Sequence, residues 1–159
     1  MDDHDYRAGY SADNDPFVYP DTGVLKNKLG LYTTAELNEE EIKFTGFRAM
    51  ELETQPVARD FDLPHLTAIH RHIFQDVYPW AGEVRTVDIA KGSTHFAPHH
   101  TIEKTFATLH NNLKKENYLL CLPPEKFAER LAGYLGEINF LHPFREGNGR
   151  TQRQFSYQL

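Results

Sequence analysis

The chain has 159 residues, of which 40% are hydrophobic, 25% charged and 13% aromatic, the makeup of one soluble globular domain that can bury a core without staples. Lys and Arg number 17 against 23 Asp and Glu, and the net charge of −6 disfavours direct binding to nucleic acid. The apolar runs are too short for a membrane span, and a single cysteine, Cys121, excludes an internal disulfide framework or a Cys-based zinc site.

Residues 1–20 are acidic and polar, show no periodicity, and do not read as a secretory signal, so the expected location is cytoplasmic, with delivery into another cell left open as the alternative. They form an N-terminal arm, ordered only if Tyr10, Phe17 and Tyr19 pack it onto the domain at 21–159. A short helix is predicted at 21–28, ending at Gly30, and a longer one at 34–52 with Thr34 as N-cap. Leu66, Ile69, Ile73 and Val77 place one apolar face on a helix over 63–77.

The Pro79-Trp80-Ala81-Gly82 turn comes next, and then Val84, Thr86, Val87 and Ile89 with Gly92 predict a small hairpin over 84–97. A helix over 101–116 carries Ile102, Phe106, Leu109 and Leu113 on one face. Another opens at Pro123-Pro124, aligns Phe127, Leu131, Leu135 and Ile138, and ends near His142 because Pro143 succeeds it. Residues 150–159 read as helix without a C-cap signal, so the domain is expected to be truncated at its C-terminal end. The sum is a mainly α bundle with one hairpin.

Chemistry concentrates in 142–153, HPFREGNGRTQR. Gly147 and Gly149 flank Asn148 at a helix start, where backbone N–H groups and the helix dipole make an anion cradle. Arg150 and Arg153, three apart, suit a polyphosphate. Glu146 beside phosphate calls for a cation between them, and Mg²⁺ held by one carboxylate and phosphate oxygens meets that need. His142 at the rim has an ordinary pKa of ~6.5 and can take a proton at neutral pH. Arg145 and Gln152 read as surface residues. His70-x-His72 and His99-His100 read as structural or surface groups, His4-Asp5 as part of the arm, and Cys121 as a small packed side chain.

Taken whole, the segment resembles the signature of the Fic (Fido) family of protein nucleotidyltransferases, H-x-F-x-[D/E]-G-N-G-R-x-x-R. His142, Phe144, Glu146, Gly147, Asn148, Gly149, Arg150 and Arg153 meet every specified position. Trp80-Ala81-Gly82, Arg85 and Lys91-Gly92 look like the family's approach to a flap hairpin over the active site. The resemblance implies a Fic-type helical bundle that moves AMP from ATP to a Tyr, Ser or Thr hydroxyl of a target protein.

In that scheme His142 is the base, Glu146 holds Mg²⁺, and Gly147, Asn148 and Gly149 cradle phosphates. Arg150 and Arg153 hold the outer phosphates, and Phe144 wedges the loop. Lys91 and Gly92 contact nucleotide, and Lys91 and Phe96 dock the target by strand addition to the flap. The phosphorylating Doc branch carries Lys where this chain has Gly149, so nucleotidyl transfer is expected.

The family's usual brake, [S/T]-x-x-x-E-[G/N], pairs its Glu with the second motif Arg. No Ser or Thr in this chain is followed by Glu four residues on. A small antitoxin carrying that motif is therefore the expected partner, as in class I toxin–antitoxin pairs. Some class I toxins modify type II topoisomerases, but nothing in residues 1–159 selects that target. The alternative reading is a nucleotide-binding interaction module with little catalysis, and a third, a metal-dependent phosphohydrolase, lacks clustered ligands.

Overall fold

The structure, a computed structural model, describes residues 10–11 and 14–159; His4-Asp5 and the side chain of Tyr10 lie outside its description. In chain order the elements are β1 (Tyr10–Ser11), α1 (Thr34–Thr54), α2 (Leu63–Phe74), β2 (Ala90–Lys91), β3 (Thr94–His95), α3 (Ile102–Lys115), α4 (Pro124–Leu141) and α5 (Asn148–Gln158). The chain is mainly α, as its patterning predicts. Helix α2 lies at the centre and packs against α1, α3 and α5, while α4 packs on α3 and α5. Leu66, Ile69, Ile73, Phe106, Ile138, Phe144 and Phe155 meet in one buried cluster, which Phe17 and Val24 also join.

The starts of α1 and α2 are set by side chains. Thr33, one residue before the expected cap, accepts from Glu36 N–H and donates to the Glu36 carboxylate at 2.6 Å, a reciprocal cap. Asp62 caps α2 by accepting from His65 N–H at 2.8 Å. Helix α2 stops at Phe74 rather than Val77, although Val77 stays buried in the turn beyond the helix end. On α4 the expected stripe is broadened: Ile138 is buried with Tyr134 and Leu141, while Phe127, Leu131 and Leu135 are half-buried. Tyr134 can take its place in the core because its hydroxyl reaches out to Glu116 at 2.7 Å.

The helix expected at 21–28 does not form. Residues 17–26 fold back through the Val18–Leu25 bridge, with Gly23 in the left-handed region at φ 69°. Asn27 then braces the next turn, accepting from the N–H of Leu29 and Leu31 and donating to the carbonyls of Leu25 and Leu31. Local side-chain bonds of this kind outcompete a helix. Cys121 also departs from expectation, being exposed rather than packed.

The hairpin is shorter than 84–97. Ala90 pairs with His95 and Lys91 with Thr94, so Gly92 and Ser93 form the turn, with Gly92 at φ 57°. On the other side of β2 lies β1, antiparallel, with Tyr10 opposite Lys91 and Ser11 opposite Ala90. Phe17 meets Trp80 edge-on with ring centres 5.4 Å apart, and Tyr19 packs on Tyr32. Among the described residues no helix is long and apolar enough to cross a membrane.

Candidate active site

Helix α4 ends at His142, whose backbone turns left-handed at φ 46° and ψ 61°. This conformation costs a non-glycine residue about 1 kcal/mol or more and persists because the surroundings impose it. The residue is 2% exposed. Its Nδ1 lies 3.1 Å from the Asn139 carbonyl, which can only accept, so Nδ1 carries the proton and the lone pair sits on Nε2. Burial, helped by the charges of Arg85 and Lys91, lowers the His142 pKa to about 4. The ring is therefore a neutral base at physiological pH.

The loop from Pro143 to Gly147 is fixed by three devices. Asn148 accepts from Phe144 N–H at 2.9 Å and donates to the Phe144 carbonyl at 2.7 Å, so its side chain ties the loop and only its backbone N–H serves the cradle. Gly147 has φ 82°, and a Cβ there would overlap the Phe74 ring, so no other residue fits. His70 accepts from Gly82 N–H at 2.8 Å, and its Nε2 donates to the Glu146 carbonyl at 2.9 Å. Fully buried and stacked 3.9 Å from Phe144, it has a pKa lowered by burial to about 3. One neutral ring thus joins the Trp80–Gly82 turn to the motif.

The first helical bond of α5 runs from Thr151 N–H to the Gly147 carbonyl at 3.1 Å. The N–H groups of Asn148, Gly149 and Arg150 precede it, the arrangement that anions occupy. Glu146 curls back so that its carboxylate accepts from Gly147 N–H at 2.8 Å. Burial, and after it the charge of Glu41, push its carboxyl pKa up. A buried carboxylate in that state gains from a cation, so Glu146 fits a Mg²⁺ that phosphate oxygens would also hold. Among the described residues no group of three or more His, Cys, Asp or Glu could hold a metal by itself. His72 bonds Glu51 and His99 bonds Asp88 instead.

The two arginines diverge. Arg150 turns toward α1, donating to the Glu41 carboxylate at 2.6 Å and to the Thr45 hydroxyl at 3.0 Å, with its guanidinium 4.7 Å above the Phe74 ring. Glu146 lies 3.7 Å from the same guanidinium. Arg153 is exposed and, with Arg150, Thr45 and Ile42, lines a groove of about 290 Å³ between α1 and α5.

Over this floor sits the flap. Phe96 stacks on His142, ring centres 3.9 Å apart. Arg85 anchors the flap's base: its buried guanidinium donates to the carbonyls of Val87 and Ala97 on the flap side and of Leu141 and His142 at the end of α4. Arg145 is not a surface residue, since it is 6% exposed and pairs with Asp15 of the arm at 2.6 Å. Gln152 is likewise half-buried, with its side-chain nitrogen enclosed.

The Fic/DOC family model matches residues 60–159. The chain belongs to the Fic/DOC family. It is 45% identical over 150 residues to the "Probable protein adenylyltransferase Fic" of Salmonella typhimurium, covering 94% of this chain and 74% of that one. It is 43% identical over 150 residues to the "Protein adenylyltransferase VbhT" of Bartonella schoenbuchensis, covering 94% of this chain but only 31% of VbhT. In fold it is similar to the BepC effector of Bartonella tribocorum, solved with bound AMPPNP, at TM-score 0.82 and 29% identity over 89% of this chain and 75% of that one. A Fic domain from Bartonella quintana with bound ADP also reaches TM-score 0.82 at 29% identity, covering 89% of this chain and 73% of that one.

Within this Fic domain, the motif spacing reveals neither Glu41 nor Arg145–Asp15. Glu41 and Thr45 succeed Leu37 in steps of four on the buried side of α1, and that periodicity was the available signal. No signal in the linear sequence pairs Asp15 with a residue 130 positions away.

Proposed function

We infer that this chain is a protein adenylyltransferase that moves AMP from ATP to a Tyr, Ser or Thr hydroxyl of a target protein. The observation that carries the reading is a neutral histidine, His142, held under the flap beside the α5 helix start. The target hydroxyl gives its proton to Nε2 of His142. Its oxygen attacks the α-phosphorus in line, the bond to the bridging oxygen breaks, and pyrophosphate leaves.

The N–H groups of Asn148, Gly149 and Arg150 and the side chains of Arg150 and Arg153 bind the phosphates, with Lys91 and Gly92 over them. Gly147, expected in the cradle, gives its N–H to Glu146 and serves the turn instead. Mg²⁺, held by Glu146, would supply charge neutralisation to the phosphates when bound. A Cβ at Gly149 would meet only the Arg153 guanidinium, at 3.6 Å. Packing therefore does not require glycine there, and its bareness keeps the phosphate ground open, which favours nucleotidyl over phosphoryl transfer.

The target's extended segment docks on the flap near Lys91 and Phe96. The brake is a small antitoxin whose [S/T]-x-x-x-E-[G/N] glutamate meets the exposed Arg153, and the enzyme works in the cytoplasm. Type II topoisomerases are the first targets to assay.

Incubating the chain with a lysate and ATP labelled at the α-phosphate tests the activity. Label appears on protein, and mass spectrometry finds added AMP on a hydroxyl. The His142→Ala variant binds ATP but transfers none. Binding without transfer by the parent would instead identify a nucleotide-binding module, and release of free phosphate a hydrolase.

A further inference from the structure

Arg150 sits in the first turn of α5 on a long, flexible side chain with about 2 kcal/mol of rotamer entropy to lose on being ordered. Its direction is set from another element. Glu41 and Thr45, one turn apart on α1, take Nη2 at 2.6 Å and Nη1 at 3.0 Å, while the Phe74 ring supports the guanidinium face. Glu41 is itself fixed: it is 1% exposed, and its other oxygen accepts from the Tyr78 hydroxyl. Burial, and after it the charge of Glu41, push the Tyr78 pKa well up, so that hydroxyl remains a donor. Both anchors lie before residue 60, outside the stretch that the family model matches.

We propose that Glu41 is a positioning residue for nucleotide, orienting Arg150 toward the outer phosphates of ATP from a helix outside the matched stretch. The proposal rests on the reading of Arg150 as a phosphate ligand. Two of the five guanidinium N–H groups serve Glu41 and Thr45, and three remain for phosphate oxygens. A fork held in advance spends less binding energy on ordering when nucleotide arrives. Glu41 contributes this direction without touching the ligand. Its contact is with the first motif arginine, so it differs from the antitoxin brake, which addresses Arg153.

A residue that merely supported the fold would weaken all adenine nucleotides alike. One that aims Arg150 acts only on ligands with outer phosphates. Dissociation constants of the full chain for ATP, ADP and AMP, with Mg²⁺ present, separate the two. Glu41→Ala weakens ATP and ADP by about tenfold, the scale of a charge-assisted contact, and leaves AMP unchanged. Glu41→Gln keeps an acceptor for Arg150 and returns most of the affinity.

Equal losses for all three nucleotides, or none, overturn the proposal. If Glu41→Ala does not fold, Thr45→Val decides. It lowers ATP affinity relative to AMP by about threefold, and an unchanged ratio overturns the proposal. Arg150→Ala run in parallel separates the levels. If it leaves the ATP-to-AMP ratio intact, the phosphate reading fails and the proposal with it. If Arg150→Ala lowers the ratio and Glu41→Ala does not, the proposal alone fails.

Discussion

The ring of Phe96 lies over the ring of His142 at 3.9 Å and 23°, so the flap shields the base from water. That cover contributes to the burial that lowers the His142 pKa to about 4. The acid limb of transfer activity is therefore expected near pH ~4 to 5 rather than near the ordinary histidine value. Phe96→Ala uncovers the ring and moves the limb upward toward ~6.5. Measuring kcat/KM against pH for both proteins checks this, and coincident limbs would count against the shielding role.

The same burial bears on stability. His142 and His70 have folded pKa values of about 4 and about 3, both below the ordinary histidine value of 6.5. Between pH ~6.5 and those values the unfolded chain binds protons that the folded chain refuses, so stability is full above pH ~6.5 and falls as pH drops through the window. The combined loss is on the order of several kcal/mol. Thermal unfolding midpoints should fall steadily from pH ~7 to ~4.5, and a level midpoint would mean that the rings titrate normally.

Much of the fold was legible because its signals are local. The face of α3, Ile102, Phe106, Leu109 and Leu113, appears as spaced in the sequence, and each of these side chains is buried. The motif at 142–153 was legible because one loop and one helix start bring its residues together. The hidden parts were set by long-range partners. Strand-forming residues at 84–89 gave up a ladder because Arg85 binds carbonyls from both α4 and the flap. The brace of Asn27 replaced a helix at 21–28 by bonds that no propensity scale counts. Arg145 looked like surface because its partner Asp15 lies in the arm.

Glu146→Ala is expected to weaken Mg²⁺-dependent nucleotide binding by about tenfold or more while leaving metal-free binding unchanged. Titrating nucleotide affinity against Mg²⁺ reads this directly. The variant should also be at least as stable as the parent without ligand, because burial and Glu41 disfavour the charge at Glu146.

Arg85→Lys keeps a charge but offers one ammonium where a planar fork reaches four carbonyls. The expected cost is about 3 kcal/mol, or roughly 10 °C in unfolding midpoint. Transfer should fall further than nucleotide affinity, since the Arg85 guanidinium binds the His142 carbonyl and its other carbonyl partners are Val87, Ala97 and Leu141. Equal losses in transfer and nucleotide affinity would contradict this account.

Strand β2 is paired on both sides, with β3 along one edge and β1 along the other. A visiting extended segment therefore cannot simply be added at Ala90 and Lys91; it must trade places with Tyr10 and Ser11. Strand pairing by a visitor at that position would be an exchange reaction, its apparent affinity the difference between two pairings. A two-residue ladder keeps the cost of displacement small, so a visitor that also grips neighbouring surface outcompetes it.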